Sequence, residues 1–137
     1  MSEVRSIIEY DEDLSNAEAP IPLPVGDYTA EIRAAEIKVS GKGNEYVNVT
    51  FFIAPEQYPP DYTEGNPDGT VLNYGRLSPE NTQRARWGMK KFCESIGAEL
   101  GSRLNLDDWL GRSAIVAVSH EDYEGETRAR ISKVREA

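Results

Sequence analysis

Residues Tyr28–Ala54 read YTAEIRAAEIKVSGKGNEYVNVTFFIA, and this stretch decides the fold. Its second half alternates without a break. Val47, Val49, Phe51 and Ile53 fall on one face of a strand, and Tyr46, Asn48, Thr50 and Phe52 on the other. The first half starts the same way, with Tyr28, Ala30, Ile32 and Ala34 set against Thr29, Glu31 and Arg33. It then slips phase, so that Ile37 and Val39 become the apolar positions. A bulge near Ala34-Ala35 would return them to the inner face. Gly41-Lys42-Gly43-Asn44 supplies a turn, so the whole stretch is a hairpin. A long, bulged first strand is what a small closed barrel needs in order to curve.

Downstream, Pro55–Asp68 holds Pro55, Pro59, Pro60, Gly65 and Pro67 and reads as a loop. Gly69–Leu77 is a third strand, with Val71, Asn73 and Gly75 alternating against Leu72, Tyr74 and Arg76. Asn73 is a poor core residue, which leaves the inner set open. Ser78-Pro79-Glu80 predicts a helix start with a serine cap, and Gly97 a stop after Ile96. Ala85, Met89, Phe92 and Ile96 form its buried stripe. Asn105–Leu110 reads as a short helical turn ended by Gly111, Arg112–His120 as a fourth strand, Glu121–Glu126 as a turn and Thr127–Val134 as a fifth strand. The resulting order predicts a mainly β protein: an OB-fold, a five-stranded Greek-key barrel with one α-helix between strands 3 and 4. The alternative is a generic five-stranded half-barrel with a lid helix. Residues 1–24 are expected to form an acidic flexible arm and a proline-rich spacer, with prolines at 20, 22 and 24, and residues 25–137 the OB-fold domain.

With 137 residues, 39% hydrophobic and 28% charged, the chain fits one globular domain. It has no apolar run long enough for a membrane span and no basic-then-apolar leader, so a cytoplasmic protein is expected. One cysteine, Cys93, excludes an intrachain disulfide, and with the lone His120 it makes no zinc set. Cys93 reads as a small, partly buried helix residue. The chain lacks a phosphate-binding glycine loop and a G-x-S-x-G elbow. Its carboxylate clusters, Asp107-Asp108 and Asp11-Glu12-Asp13, have no second cluster to share a metal. No enzyme activity, cofactor or metal is expected. The net charge of −9 is unevenly spread: residues 1–24 carry six acids against Arg5, whereas Gly69–Gly97 is +3 and Arg128–Arg135 holds four bases and no acid.

Three short runs carry a family resemblance. Pro24-Val25-Gly26-Asp27-Tyr28-Thr29-Ala30, Ser40-Gly41-Lys42-Gly43 with the Val47–Ile53 strand, and Leu110-Gly111-Arg112 through Val116, Val118, Tyr123 and Gly125 resemble phage-type single-stranded DNA-binding proteins. The resemblance covers roughly Pro24–Val134. It implies an OB-fold and sequence-tolerant binding of single-stranded DNA in phage replication or recombination, in the host cytoplasm if the chain is phage-encoded. The chain departs from bacterial single-stranded DNA-binding proteins in carrying its acidic segment at the N-terminus, and its Glu121–Glu124 turn is acidic.

Single-strand binders combine cations that follow phosphates with flat rings on which bases stack. The candidates are Lys38, Lys42, Tyr46, Phe52, Tyr74, Arg76, Trp87, Tyr123, Arg128 and Arg130. Tyr46 and Phe52 on the outer face of strand 2 read either as rings packed under a loop or the arm or as base platforms, with a homodimer surface the lesser alternative. Tyr74 joins them only if Val71 and Asn73 face inward. Lys38 and Lys42 flank the first hairpin turn, where phosphate contact and simple solvation weigh alike. Trp87 points away from the helix's buried stripe among Arg86, Lys90 and Lys91; it can stack on a base, take cation–π contacts, seat a partner or cover the Pro55–Asp68 loop. Arg128 and Arg130 bind phosphate or neutralise the acids near Tyr123. The acidic arm can occupy the DNA groove or recruit a basic phage or host replication or recombination protein. The rival function is a protein-binding module or phage inhibitor that mimics DNA, which suits the charge of −9; an oligosaccharide-binding module is a third class.

Overall fold

Strand β1 (Gly26–Val39) organises the molecule because it pairs on both sides. Its first half runs antiparallel to β4 (Ser113–Tyr123), with Tyr28 opposite Val116 and Ala30 opposite Ala114. Its second half runs antiparallel to β2 (Glu45–Ile53), with Ile37 opposite Val47. The register shifts between Ile32 and Ala34, so the bulge sits at Arg33, one residue before the expected place. β3 (Thr70–Leu77) adds to β2, and β5 (Glu126–Arg135) to β4, in the order β3-β2-β1-β4-β5. The described residues are therefore mainly β, five antiparallel strands in one sheet with a single α-helix, α1 (Gln83–Ile96), between β3 and β4. Cα atoms of β3 and β5, at opposite ends of that order, come within 8 Å of each other. The computed structural model describes residues 6–137. Among them no helix is long and apolar enough to cross a membrane. The first five residues of the expected arm lie outside the described residues.

The core follows the alternation. Ile32, Val47, Val49, Phe51, Ile53, Ala114 and Val116 are fully buried. Phe92 of α1 enters this core and collects three rings: Tyr74 stacked at 5.9 Å, Trp109 at 5.2 Å and Phe51 edge-on at 6.4 Å. Trp109, 1% exposed, sits on a short 3-10 helix (Leu106–Trp109) capped by Asn105, whose side chain accepts from the Asp107 N–H. Arg112 holds this turn to the end of α1 by donating to Asp108 O at 2.9 Å and Gly97 O at 2.8 Å. Cys93 is completely buried; burial pushes its thiol above the ordinary range, against a smaller opposing effect of Arg112.

Several boundaries differ from the sequence reading. The helix starts at Gln83 and its cap is Thr82, whose Oγ1 accepts from Ala85 N at 3.1 Å. Ser78 caps only a local turn, accepting from Glu80 N, because the helix has not begun at Pro79. The buried stripe is Phe92, Cys93 and Ile96, while Ala85 and Met89 are only half-buried. Ile37 and Val39 regain the phase but remain 52% and 64% exposed, because β1 outruns the elements that could cover them. The last turn shrinks to Glu124-Gly125, both at positive φ (51° and 82°), so β4 and β5 extend to Tyr123 and Glu126. Two central residues of this kind fit the twist of a two-residue hairpin.

The spacer is tied down. Leu23 is buried, and its carbonyl meets His120 Nε2 at 2.7 Å. Tyr62 Oη donates to Ile21 O at 3.0 Å and Tyr28 Oη to Pro24 O at 2.7 Å; burial raises both phenols above their ordinary range, which keeps them as donors. Residues 6–18 are exposed and contain one 3-10 turn, Leu14–Asn16, capped by Asp13.

Candidate nucleic-acid interface

With Val47, Val49, Phe51 and Ile53 committed to the core, β2 turns Tyr46, Asn48, Thr50 and Phe52 to its other face, where Asn48 is buried and the other three are half-buried. The register lines up Glu31, Ala34, Glu36 and Lys38 of β1 beside Phe52, Thr50, Asn48 and Tyr46 respectively. On the other side lie Val71 opposite Phe52 and Asn73 opposite Thr50. In the middle, Asn73 Oδ1 accepts from Asn48 Nδ2 at 3.1 Å and from Thr50 Oγ1 at 3.0 Å. That uses the oxygen of the exposed Asn73 and leaves its amide N–H groups as the donors offered to a ligand.

A glycine of β3, or just before it, seats each outward ring. Tyr46 lies on Gly75, where a Cβ would be 3.1 Å from Cε2 and 3.3 Å from Cδ2. Phe52 lies on Gly69, whose φ is +103° and where a Cβ would overlap the ring and sit 2.9 Å from Ile53 O. The Arg33 guanidinium lies over the Phe52 ring, 4.1 Å from its centroid. Both rings are half-buried. A shallow depression of about 620 Å³ opens beside Tyr46, bounded by Ser40, Gly41, Asn44, Asn48 and Gly75.

Charge on this face is mixed. Lys38 pairs with Glu36 at 3.4 Å and Arg33 with Glu31 at 3.0 Å, in both cases with an acid two residues earlier on the same side of the strand. Lys42, exposed at the turn, and Arg76, exposed where the β2–β3 register shifts, have no carboxylate within 4.0 Å among the described residues. Exposed pairs contribute only about 0–1 kcal/mol each, so a phosphate can exchange for the carboxylate.

The ten candidates fall into separate groups. Lys38, Lys42, Tyr46, Phe52 and Arg76 belong to the β1–β2–β3 outer face. Tyr123, Arg128 and Arg130 belong to the β4–β5 hairpin, where Arg128 lies 4.6 Å over the Tyr123 ring and pairs with Glu126 at 3.9 Å. Arg130 pairs with Glu121 at 3.5 Å. Trp87 is 58% exposed on α1, flanked by Lys91 at 4.4 Å and Lys90 at 5.5 Å. Tyr74 is a correction: it pairs with Val49, so it points to the core, where it stacks on Phe92. The outward set of β3 is Val71, Asn73 and Gly75, because Asn73 satisfies its oxygen on the outer face.

No protein-family model matches this chain, and no curated protein matches it. Geometry and chemistry alone therefore bear on the site. Asn48, Thr50, Asn73 and Arg33 were not among the candidates. The two amides and the threonine were legible as polar residues on the face opposite the core, although Asn48 is buried there. The ion pairs were legible as acid-x-base triplets within strands: Glu31/Arg33, Glu36/Lys38 and Glu126/Arg128.

Proposed function

We propose that this chain is a single-stranded DNA-binding protein built on an OB-fold barrel, coating unpaired strands without sequence preference in phage replication or recombination. The strand order, the helix between β3 and β4, and the approach of β3 to β5 support the barrel. The observation that carries the function is the outer face of β2. Tyr46 rests on Gly75 next to Lys38, Lys42 and Arg76, at one end of a strip of amide and hydroxyl groups whose other end is Phe52, packed on Gly69 under the Arg33 guanidinium. Flat rings and cations along one extended path are what a flexible polyanion with π-faced bases requires. The host cytoplasm is the compartment this role implies.

A second reading, an acidic module that binds a basic replication or recombination protein in place of DNA, draws on a different observation: the acids that neutralise Arg33, Lys38, Arg128 and Arg130. One experiment separates the two. Fluorescence anisotropy with labelled oligo-dT at two salt concentrations, beside a duplex control, is expected to give binding to the single strand that weakens with salt. Absence of binding at low salt defeats the proposal and favours the protein partner.

A further inference from the structure

An apolar groove lies on a different part of the molecule. It runs between the first half of α1, the uncovered end of β1 and the loop that follows Gly97, with a volume of about 650 Å³. Its walls include Ile37, Val47, Met89, Leu100, Leu104 and Leu106. Ile37 and Leu100 are each more than half exposed, and Leu104 is 36% exposed. Arg86 and Lys90 stand on the rim, opposed by one acid, Glu80. Apolar walls under a cationic rim select an apolar segment that carries negative charge.

The chain contains such a segment. Ile7, Ile8, Tyr10 and Leu14 are 77%, 75%, 58% and 62% exposed, interleaved with Glu9, Asp11, Glu12 and Asp13. Four large apolar side chains in water on an otherwise acidic arm match the groove in both polarity and charge sign.

Reach selects whose arm it is. The arm is anchored at Leu23 by His120, near the start of β1, whereas the groove is at the end of that strand. Gly26 and Ile37 are at most about 36 Å apart, the length of a straight strand between them at roughly 3.3 Å per residue. Tyr10 is 13 residues from Leu23, at most about 45 Å fully extended. The Asp13-capped turn consumes part of that length. A chain's own arm would spend much of that length in reaching the groove; a neighbour's arm need not.

We propose that Ile7–Leu14 of one copy docks in the α1 groove of a second copy. The contact joins two different surfaces, so it is head-to-tail and can propagate along a row of molecules. It uses neither the β2 rings nor DNA, and its test stands apart from the DNA-binding reading.

The test uses full-length chains with Cys93→Ala. A size-tagged Ile8→Cys protein is mixed with a Leu104→Cys protein under mild oxidation. The expected product is a disulfide-linked dimer of the two, and with both cysteines in one chain a ladder of oligomers. Val25→Cys, exposed at the arm's root, is expected not to cross-link to Leu104→Cys. In sedimentation equilibrium the unmodified chain is expected to gain mass with concentration, and Leu104→Asp to weaken that association by at least about tenfold with an unchanged circular dichroism spectrum. An intramolecular cross-link alone would assign the groove to the chain's own arm and overturn the proposal. So would failure to cross-link, or a mass that stays monomeric throughout.

Discussion

Replacing Tyr46 by alanine is the sharpest probe of the outer face. Gly75 already lies against one side of the ring, at the distance where a Cβ would be 3.1 Å away. With that contact the half-buried ring has room for one stacked base at most. A stacked base contributes about 1–3 kcal/mol, and single-sided access points to about 1–2 kcal/mol. Tyr46→Ala should therefore weaken oligo-dT binding by about 5- to 30-fold. Tyr46→Phe should bind like the parent, because the flat ring remains. Tyr46→Leu should resemble alanine, because apolar area without a π-face does not stack. Anisotropy titrations at one fixed salt concentration measure all three, and circular dichroism checks that β2 is intact. If alanine binds as tightly as tyrosine in a folded protein, or leucine as tightly as phenylalanine, stacking on Tyr46 is wrong.

Lys42→Ala should flatten the dependence of affinity on salt by about one phosphate contact, whereas Lys38→Ala should change it less because Glu36 already offsets that charge; salt titrations compare the two. Tyr74→Ala should lower the thermal midpoint while leaving oligo-dT affinity per folded molecule unchanged, and a loss of affinity without loss of stability would contradict its place against Phe92. Glu124→Asn should raise stability by up to about 1 kcal/mol in urea titrations, since asparagine tolerates the left-handed backbone that Glu124 occupies at φ 51°. The Cys93 thiol has its pKa raised above the ordinary 9.0 by burial. The folded state therefore resists its ionisation, and this stability, complete below about pH 9, is lost as pH rises through the folded value. Thermal midpoints measured above pH 9 should fall more steeply for the parent than for Cys93→Ala.

How far the residues announced this arrangement depends on the signal each carried. The Tyr28–Ala54 hairpin was legible because period-2 alternation runs through it, and the phase slip named its bulge to within a residue or two. β3 was ambiguous because a second register shift, between Val47 and Val49, brings Leu77 inward with Leu72 and Tyr74 despite its opposite parity. The helix start was misread because Ser78 and Thr82 both look like caps, and only the fold reveals that Pro79–Asn81 turns before the helix begins. Trp109 gave no periodic signal at all: one residue of a 3-10 turn becomes core only because Arg112 fastens that turn beneath α1. At the candidate site the outward rings were legible from alternation, while Arg33 over Phe52 depends on where the bulge sits.

The acid two residues before Arg33, Lys38 and Arg128 has a consequence for turnover. Glu31, Glu36 and Glu126 act as built-in counter-ions, covalently attached and always at hand. When a phosphate departs, the vacated guanidinium or ammonium finds its carboxylate again without waiting for an ion from solution. On the DNA-binding reading, such a coat yields readily to an advancing polymerase and re-forms behind it.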